Sequence, residues 1–479
     1  MQRKFITNLA LLLFLNLLIK PFWILGIDRA VQNAVGTEDY GIYFALFNFT
    51  FLFNILLDVG ITNFNNKNIA QNNHLLTKHF SSLLVLKFVL AAVYFVVLLI
   101  VGIIVGYTTS QLWLLVLLGI NQFLAFFVLY LRSNLAGLHL FKTDSILSVL
   151  DRALMIAMCA VLLWGNITGG EFRIELFIYA QTLSVLITAI IAFMIVLSKT
   201  EFLKLRWNTT FFKMILKQSF PFAVLVLLMT FYNRVDTVMM ERMLIDGAEQ
   251  SGIYAQAYRL LDSSNMIAYL FSVLLLPIFA KMLKLNESIE QLVKLSFSLI
   301  IVPAIIVAVS SFFYSYELME ILYKEHVYES SRIFGTLMTC FVAISTTYIF
   351  GTLLTANGNL KELNLMAGFG MLINIVLNLI LIPKYKVIGA ASASLITQSV
   401  MALTQVLIVV KIFHFRINYR LLIILVIFIA GSIIMAFCSR FLPFNWVFNF
   451  ILMIISSISL AFLTRLISIK AIYRILKYG

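Results

Sequence analysis

Long runs of apolar residues alternate with short polar stretches along the whole chain. Ser81 to Gly106 is one such run, interrupted by a single charge at Lys87, and Leu421 to Ser439 is another. A run of about 18 or more apolar residues can cross the hydrocarbon layer of a membrane as a helix. The pattern predicts fourteen spans, at residues 6–27, 41–62, 81–106, 111–134, 145–165, 175–198, 214–240, 252–280, 292–313, 332–356, 363–382, 388–410, 421–439 and 446–467.

The composition agrees with helices in a membrane. Of the 479 residues, 62% are hydrophobic and 12% are charged, whereas a soluble domain carries about 25% charged residues. In lipid every backbone polar group must be satisfied within the protein, and the short alternating strands of a membrane barrel are absent from this sequence. We therefore predict an all-α integral membrane protein of about 14 transmembrane helices. Its short connections leave no room for a separate catalytic domain.

Lys and Arg are concentrated in alternate connections. If the N-terminus is cytoplasmic, most of these residues lie on the cytoplasmic side, as the positive-inside rule requires. The loop Pro383 to Lys386 departs from the rule. We expect both termini in the cytoplasm. The C-terminus would be part of the basic tail Arg465 to Gly479. The net charge of +14 follows from this topology and does not imply a nucleic-acid partner.

The eight-residue pattern G-x-E-x-x-G-I-Y occurs twice. Gly36 to Tyr43 precedes the second span, and Gly247 to Tyr254 precedes the eighth. In a second pair of glycines, Gly137 follows the fourth span and Gly358 follows the tenth. Their separation in the sequence is similar to that of the two motif copies. Six spans separate the members of each pair. Because six is an even number, the two halves share one orientation, which predicts a parallel repeat.

The repeat divides the chain into three parts. We expect an N-terminal six-helix lobe at residues 1–200 and a C-terminal six-helix lobe at residues 201–411. Residues 412–479 then form two additional transmembrane helices and the basic cytoplasmic tail.

Ionisable residues within the spans are few, and each is costly in lipid unless it faces a cavity or a partner. They are Lys20, Asp58, Lys87, Asp151, Arg152, Arg234, Asp236, Arg259 and Asp262. Structural ion pairing or snorkelling is favoured for Asp58 and Lys87, which lie near predicted span ends. Asp28 is interpreted in the same way. A water-filled cavity that binds an anion is favoured for the three arginines.

Three stretches together resemble a known family: Val35 to Ile61, Tyr232 to Ser263, and Asn378 to Ile396. They are similar to the first-repeat signature, the second-repeat signature and the junction of spans eleven and twelve in the polysaccharide flippases. These proteins form one branch of the multidrug/oligosaccharidyl-lipid/polysaccharide exporter superfamily. The resemblance covers almost the whole chain. It implies two six-helix lobes around a central cavity, alternating access, and two C-terminal helices like those that form a lipid-tail groove in relatives.

The same resemblance implies a function. Such flippases move undecaprenyl-diphosphate-linked oligosaccharide repeat units from the cytoplasmic to the periplasmic leaflet, for O-antigen of lipopolysaccharide, capsule or exopolysaccharide. It implies a transporter in the bacterial inner membrane, not an enzyme, and it implies no cofactor. The partners would be the lipid-linked oligosaccharide, membrane lipids, polysaccharide assembly proteins, and H⁺ or Na⁺ as a candidate coupling ion.

The site residues also follow from the resemblance. Arginine keeps its charge and grips phosphate oxygens with a forked set of donors. The expected contacts to a diphosphate or acidic sugar are Arg152, Arg234, Arg259 and Lys20. The acids expected to orient these cations or to carry a coupling ion are Asp236, Asp262 and Asp151.

Two alternatives stay open. One is a cation-coupled drug or small-molecule exporter of the same superfamily, in which acids rather than cations dominate the site. The other is a membrane polysaccharide polymerase or ligase, which would carry a large outside loop with basic and catalytic residues, whereas Tyr314 to Ser331 is short and acid-rich. No metal site is expected, because the five His are scattered and the three Cys lie in apolar runs.

Overall fold

The computed structural model of the protein describes residues 14–62, 65, 69, 75–138, 140–165, 172–200, 207–415 and 418–466, and every regular element in these residues is helical. The α-helices are α1 (Arg29–Val35), α2 (Thr37–Leu52), α3 (Leu75–Val105), α4 (Thr109–Gly137), α5 (Phe141–Trp164), α6 (Ile174–Leu197), α7 (Thr209–Met243), α8 (Gly247–Lys284), α9 (Glu290–Phe313), α10 (Ser315–Leu322), α11 (Val327–Ala356), α12 (Leu360–Phe413), α13 (Tyr419–Ser439) and α14 (Trp446–Leu463). Among the described helices, eleven are long and apolar enough to cross a membrane.

The prediction of an all-α membrane protein with about fourteen spans is confirmed. Helix α12 contains predicted spans eleven and twelve, which are divided at Lys386, where φ is 50°. The first span corresponds to helical residues 14–22, the π-helical turn Trp23–Asp28 and α1. The predicted start of that span before residue 14 and the basic tail after residue 466 lie outside the described residues.

Polar residues in the short connections set where several helices begin. The side chains of Asn208, Asn418 and Asn445 accept hydrogen bonds from the first backbone N–H groups of α7, α13 and α14. Thr108 and Gln111 form a reciprocal capping box at α4, with distances of 3.4 and 3.1 Å. The first N–H groups of a helix have no partner within it, so these side chains satisfy donors that lipid could not.

The chain forms two compact units, unit 1 (Met1–Gly252) and unit 2 (Ile253–Gly479), and each has its own buried apolar cluster. In unit 2 the two C-terminal helices pack on α9, where Phe428 and Ala461 are fully buried beside Ile301 and Ile305. The lobe boundary at residue 200 stays a prediction.

The repeat is visible in equivalent contacts within each unit. In unit 1 the Tyr43 hydroxyl on α2 donates to Gln181 Oε1 on α6 at 3.4 Å. In unit 2 the Tyr254 hydroxyl on α8 lies 3.3 Å from Ser394 Oγ on α12. Each copy of the repeated motif therefore uses its tyrosine to bind a polar residue on the sixth span of its own half.

The two copies of the motif also touch each other inside unit 1. A Cβ atom added to Gly41 would lie 1.8 Å from the carbonyl oxygen of Ala248, and one added to Gly252 would lie 1.9 Å from that of Thr37. Each glycine thus meets the residue four positions before the other glycine. The contact is nearly two-fold symmetric, and only glycine allows the two helix backbones to approach so closely.

The second predicted span is broken. Helix α2 ends at Leu52, a 3-10 turn follows at Asn54–Leu57, and Lys87 from α3 covers the break. Lys87 Nζ donates to Leu57 O at 3.0 Å and forms a hydrogen-bonded ion pair with Asp58. Asp58 also accepts from the Thr62 backbone N–H at 3.2 Å. Asp58 and Lys87 therefore neutralise each other and satisfy the backbone where the helix stops.

We expect Gly41→Ala and Gly252→Ala each to destabilise the protein, because the added methyl group would overlap a backbone carbonyl of a packed helix. Overpacking of this kind costs about 1–3 kcal/mol. The measurement is the melting temperature of purified protein in detergent. Gly26→Ala is the control, because its methyl group would meet Phe22 at an ordinary 3.6 Å. Melting temperatures equal to that of the control would contradict the close contact.

We expect Lys87→Met to be strongly destabilising, by about 3–5 kcal/mol, because it leaves the Asp58 carboxylate buried without its cation. The double variant Lys87→Met/Asp58→Asn removes both charges and should recover part of the lost melting temperature. Two single-variant losses that simply add in the double variant would show that the two side chains do not interact.

Candidate functional site

Two cations lie near one carboxylate within the membrane part of unit 1. Arg152 Nε on α5 lies 3.6 Å from Asp151 Oδ2, and Lys20 interacts electrostatically with both residues. Arg132 also acts on Lys20, but its own charge is balanced by Asp144, with Nε and Oδ1 2.7 Å apart. Lys20, Asp151 and Arg152, which we call the Lys20 cluster, therefore carry a net positive charge.

An aromatic ring supports the Lys20 cluster. The Arg152 guanidinium carbon lies 5.6 Å from the ring centre of Trp23, which is stacked on Phe177 at 5.8 Å. Trp23 belongs to the π-helical turn, a distortion that is often found at functional sites. The negative face of the ring stabilises the guanidinium without neutralising it, so the cation stays available to an anion.

A second arginine lies against α2. Arg234 Nη1 on α7 donates to Asn48 Oδ1 at 3.4 Å, and its guanidinium carbon lies 5.4 Å from the ring centre of Phe51. Asn48 is buried and is held in place by its own donation to Phe44 O at 2.8 Å. Arg234 is therefore oriented by an amide and a ring.

The remaining predicted site residues lie on α7 and α8. Asp236 is buried two residues after Arg234 in unit 1. Arg259 and Asp262 are partly buried, about one helical turn apart on α8, within unit 2. The structure brings Lys20, Asp151 and Arg152 near one another, and it places Arg234 against Asn48 and Phe51. The role of each of these residues stays a prediction.

Asp28, near the contact between Gly41 and Gly252, is a buried carboxylate with several hydrogen-bond donors around it. Its position near a span end had suggested only ion pairing or snorkelling. Asp28 is 1% exposed and accepts hydrogen bonds from the Tyr40 hydroxyl, at 2.8 and 3.0 Å, and from Gln32 Nε2 at 3.1 Å. Hydrogen bonds to a charged acceptor are among the stronger ones in proteins. They fix the end of the π-helical turn to the residue that precedes Gly41.

Buried amides are the functional candidates that a search for ionisable residues overlooks. On α12, Asn378 Nδ2 donates to Asn374 Oδ1 at 3.0 Å, and both side chains are fully buried. Asn374 and Asn378 lie four residues apart inside an apolar helix, and Asn48 is an amide inside the apolar helix α2. Such amides could have been identified from the sequence as buried polar residues. An amide in lipid needs a hydrogen-bond partner, because its burial without one costs several kcal/mol, although less than that of a charge.

A polar cluster joins the α3–α4 connection to the end of α7. Arg242 pairs with Glu241, donates to Gln111 Oε1 and Gly106 O at 3.2 Å each, and lies 4.1 Å from the Tyr107 ring centre. Burial, and then the Glu241 carboxylate, raise the pKa of the Tyr107 phenol. We call these five residues the Arg242 cluster. It connects the first and second predicted lobes within unit 1, as the glycine contact does.

The cations described above could bind an anion, whereas the described residues contain no clear set of metal ligands. No group of three or more His, Cys, Asp or Glu side chains that could hold a metal ion occurs among them. Arginine and lysine backed by aromatic rings are suited to phosphate or carboxylate groups.

A protein-family model matches more than half of the chain. Residues 8–283 match the model of a family described as polysaccharide biosynthesis protein. No curated protein sequence matches significantly.

Solved structures share the fold at low sequence identity. The lipid II flippase MurJ, in an inward closed conformation, has a TM-score of 0.68 and 17% identity, over 95% of this chain and 97% of that one. An inward-facing multidrug resistance MATE family transporter of the MOP superfamily has a TM-score of 0.63 and 14% identity, over 83% of this chain and 96% of that one. A MOP superfamily transporter from Pyrococcus furiosus has a TM-score of 0.52 and 15% identity, over 84% and 91%.

Proposed function

The chain belongs to the polysaccharide biosynthesis protein family, and from that premise we propose that it is a flippase for lipid-linked oligosaccharides. Its substrate is an undecaprenyl-diphosphate-linked repeat unit, which it moves from the cytoplasmic to the periplasmic leaflet of the bacterial inner membrane. The product serves the assembly of O-antigen, capsule or exopolysaccharide outside the cell.

The net positive charge of the Lys20 cluster is the observation that carries this proposal. A diphosphate cannot cross about 30 Å of hydrocarbon without an environment that replaces its hydration. Arg152, paired with Asp151, and the nearby cation Lys20 would provide such an environment inside a membrane protein. The polyprenyl tail needs no such site, because it can remain in lipid while the head group crosses.

Alternating access gives the remaining groups their roles. The lobes at residues 1–200 and 201–411 rock about the substrate, and no covalent bond is made or broken. Opening one side requires the glycine contact and the Arg242 cluster to separate, because both join the two lobes. With both termini in the cytoplasm, these contacts lie on the periplasmic side.

The other predicted residues complete the site. Arg234 and Arg259 bind the second phosphate or an acidic sugar. Asp151 orients Arg152, and Asp236 and Asp262 orient the neighbouring arginines or carry the coupling ion, H⁺ or Na⁺. The family and the similar structures are of polysaccharide, flippase and transporter types, which supports transport over polymerase or ligase chemistry.

The fold alone does not separate a flippase from a drug exporter, since both similar structures share it. The charge of the site supports the flippase over the exporter. A drug exporter for cationic compounds needs acids in excess, whereas the Lys20 cluster has cations in excess.

We expect Arg152→Ala and Lys20→Ala to block export in a strain that lacks its own flippase but keeps its glycan genes. Surface polymer should fall about tenfold or more at matched membrane levels, since a hydrogen bond to a charged group contributes about 1.5–3 kcal/mol. Lipid-linked repeat units should accumulate in the cytoplasmic leaflet. The measurements are polymer on the surface and lipid-linked intermediate in the membrane.

The matched control is Arg173→Ala. Arg173 precedes α6, its side chain is 70% exposed, and it lies 4.0 Å from Glu175, so its loss should leave export unchanged. Failure of the wild type to restore polymer, together with a gain in resistance to cationic drugs, would overturn the flippase in favour of the exporter. Normal export by both variants would overturn the assignment of the Lys20 cluster.

A further inference from the structure

A row of aromatic rings connects Arg152 with Arg234 in unit 1. Tyr43, Phe47 and Phe51 are spaced four residues apart on α2, so they lie on one face of that helix. Their ring centres are 5.8 Å apart between the first two and 5.1 Å apart between the last two. Phe177 extends the row from Tyr43 at 5.3 Å to Trp23. The row thus begins at the ring that supports Arg152 and ends at the ring that supports Arg234.

The two ends of the row differ in burial. Trp23, Phe177 and Tyr43 are almost completely buried, so they serve as packing. Phe47 and Phe51 are partly exposed. An exposed ring in a membrane helix commonly faces lipid, where an aliphatic side chain would serve equally well.

The surroundings of Phe51 argue against lipid on this face. Arg234 lies over the Phe51 ring, and Asn48, between Phe47 and Phe51 in sequence, accepts its hydrogen bond. A guanidinium within a span faces the protein interior or a water-filled cavity, because its exposure to hydrocarbon is costly. The exposed surface of Phe51 beside Arg234 therefore faces the same polar space.

We propose that Phe47 and Phe51 form a stacking platform for a sugar ring of the transported glycan, with Arg234 beside it to bind an anionic group attached to that sugar. The inference deepens the proposed function and rests on it. The face of a pyranose ring presents C–H groups with partial positive charge, and the face of an aromatic ring is negative. Stacking needs no fixed pattern of hydroxyl groups, so the platform accepts different sugars and confers affinity more than sequence specificity.

Rigidity supports this role. The Tyr43 ring contacts the Phe47 ring at 5.8 Å, and Tyr43 is itself packed against Phe177 at 5.3 Å. Phe177 is in turn stacked on Trp23 at 5.8 Å. Asn48 is fixed by its bond to Phe44 O. A sugar would therefore meet rings that are already in position, which lowers the entropic cost of binding.

The test compares two probes with the protein in nanodiscs. One probe is undecaprenyl diphosphate, and the other is the same lipid carrying one N-acetylglucosamine. We expect the wild type to bind the glycosylated probe about fivefold to tenfold more tightly, the range that an aromatic contact adds. Phe51→Leu and Phe47→Leu should remove that preference and leave the affinity for undecaprenyl diphosphate unchanged. Phe51→Tyr should keep the preference, because it keeps the ring.

Phe220→Leu is the matched control, because Phe220 is an exposed phenylalanine on α7, at 63%. A preference for the glycosylated probe that survives both leucine variants would overturn the platform. Equal affinity of the wild type for the two probes would also overturn it and leave the flippase intact. Failure of the wild type to bind either probe would overturn the proposed function itself. Arg152→Ala separates the sites further, since it should weaken both probes equally.

Discussion

The reciprocal contact between Gly41 and Gly252 is the constraint on which unit 1 depends. Each glycine lies against the carbonyl oxygen four residues before the other, at a distance that excludes any side chain. Helices in lipid gain little from the hydrophobic effect when they associate, so close packing of small residues has to hold them together. The contact also explains why the chain repeats G-x-E-x-x-G-I-Y: the two copies fit each other, and their tyrosines bind the sixth span of each half.

Charges in the membrane part divide into two kinds. Lys87 with Asp58 and Asp28 with Tyr40 are fully satisfied within the protein and hold a broken helix and a π-helical turn in place. Arg152 and Arg234 lie over aromatic rings, and Asp151, which pairs with Arg152, also interacts with Lys20. An aromatic face stabilises a guanidinium without removing its charge. The first kind stabilises the fold, and the second is the kind that we propose binds an anionic substrate.

Much of this arrangement was predictable from spacing and hydropathy. The spans, the parallel repeat and the set of intramembrane charges follow from apolar run length and from two short motifs. The partners of those charges did not follow. Phe51 and Trp23 are ordinary residues of an apolar helix in sequence, and they become relevant only because an arginine from a distant span packs against them. The break after Leu52 was also missed, because its stabilising group, Lys87, lies on another helix.

The sequence by itself determined the helical fold class, the positions of most membrane spans and the repeat. Those properties depend on local hydrophobicity and on backbone hydrogen bonds made within each helix. Only the tertiary structure decided which charges are paired, which arginines lie on rings and that the two motif copies touch. These depend on contacts between different helices, such as Lys87 with Asp58, Asn48 with Arg234 and Gly41 with Ala248. Hydropathy carries no information about such contacts, because many helix arrangements would bury the same apolar residues equally well.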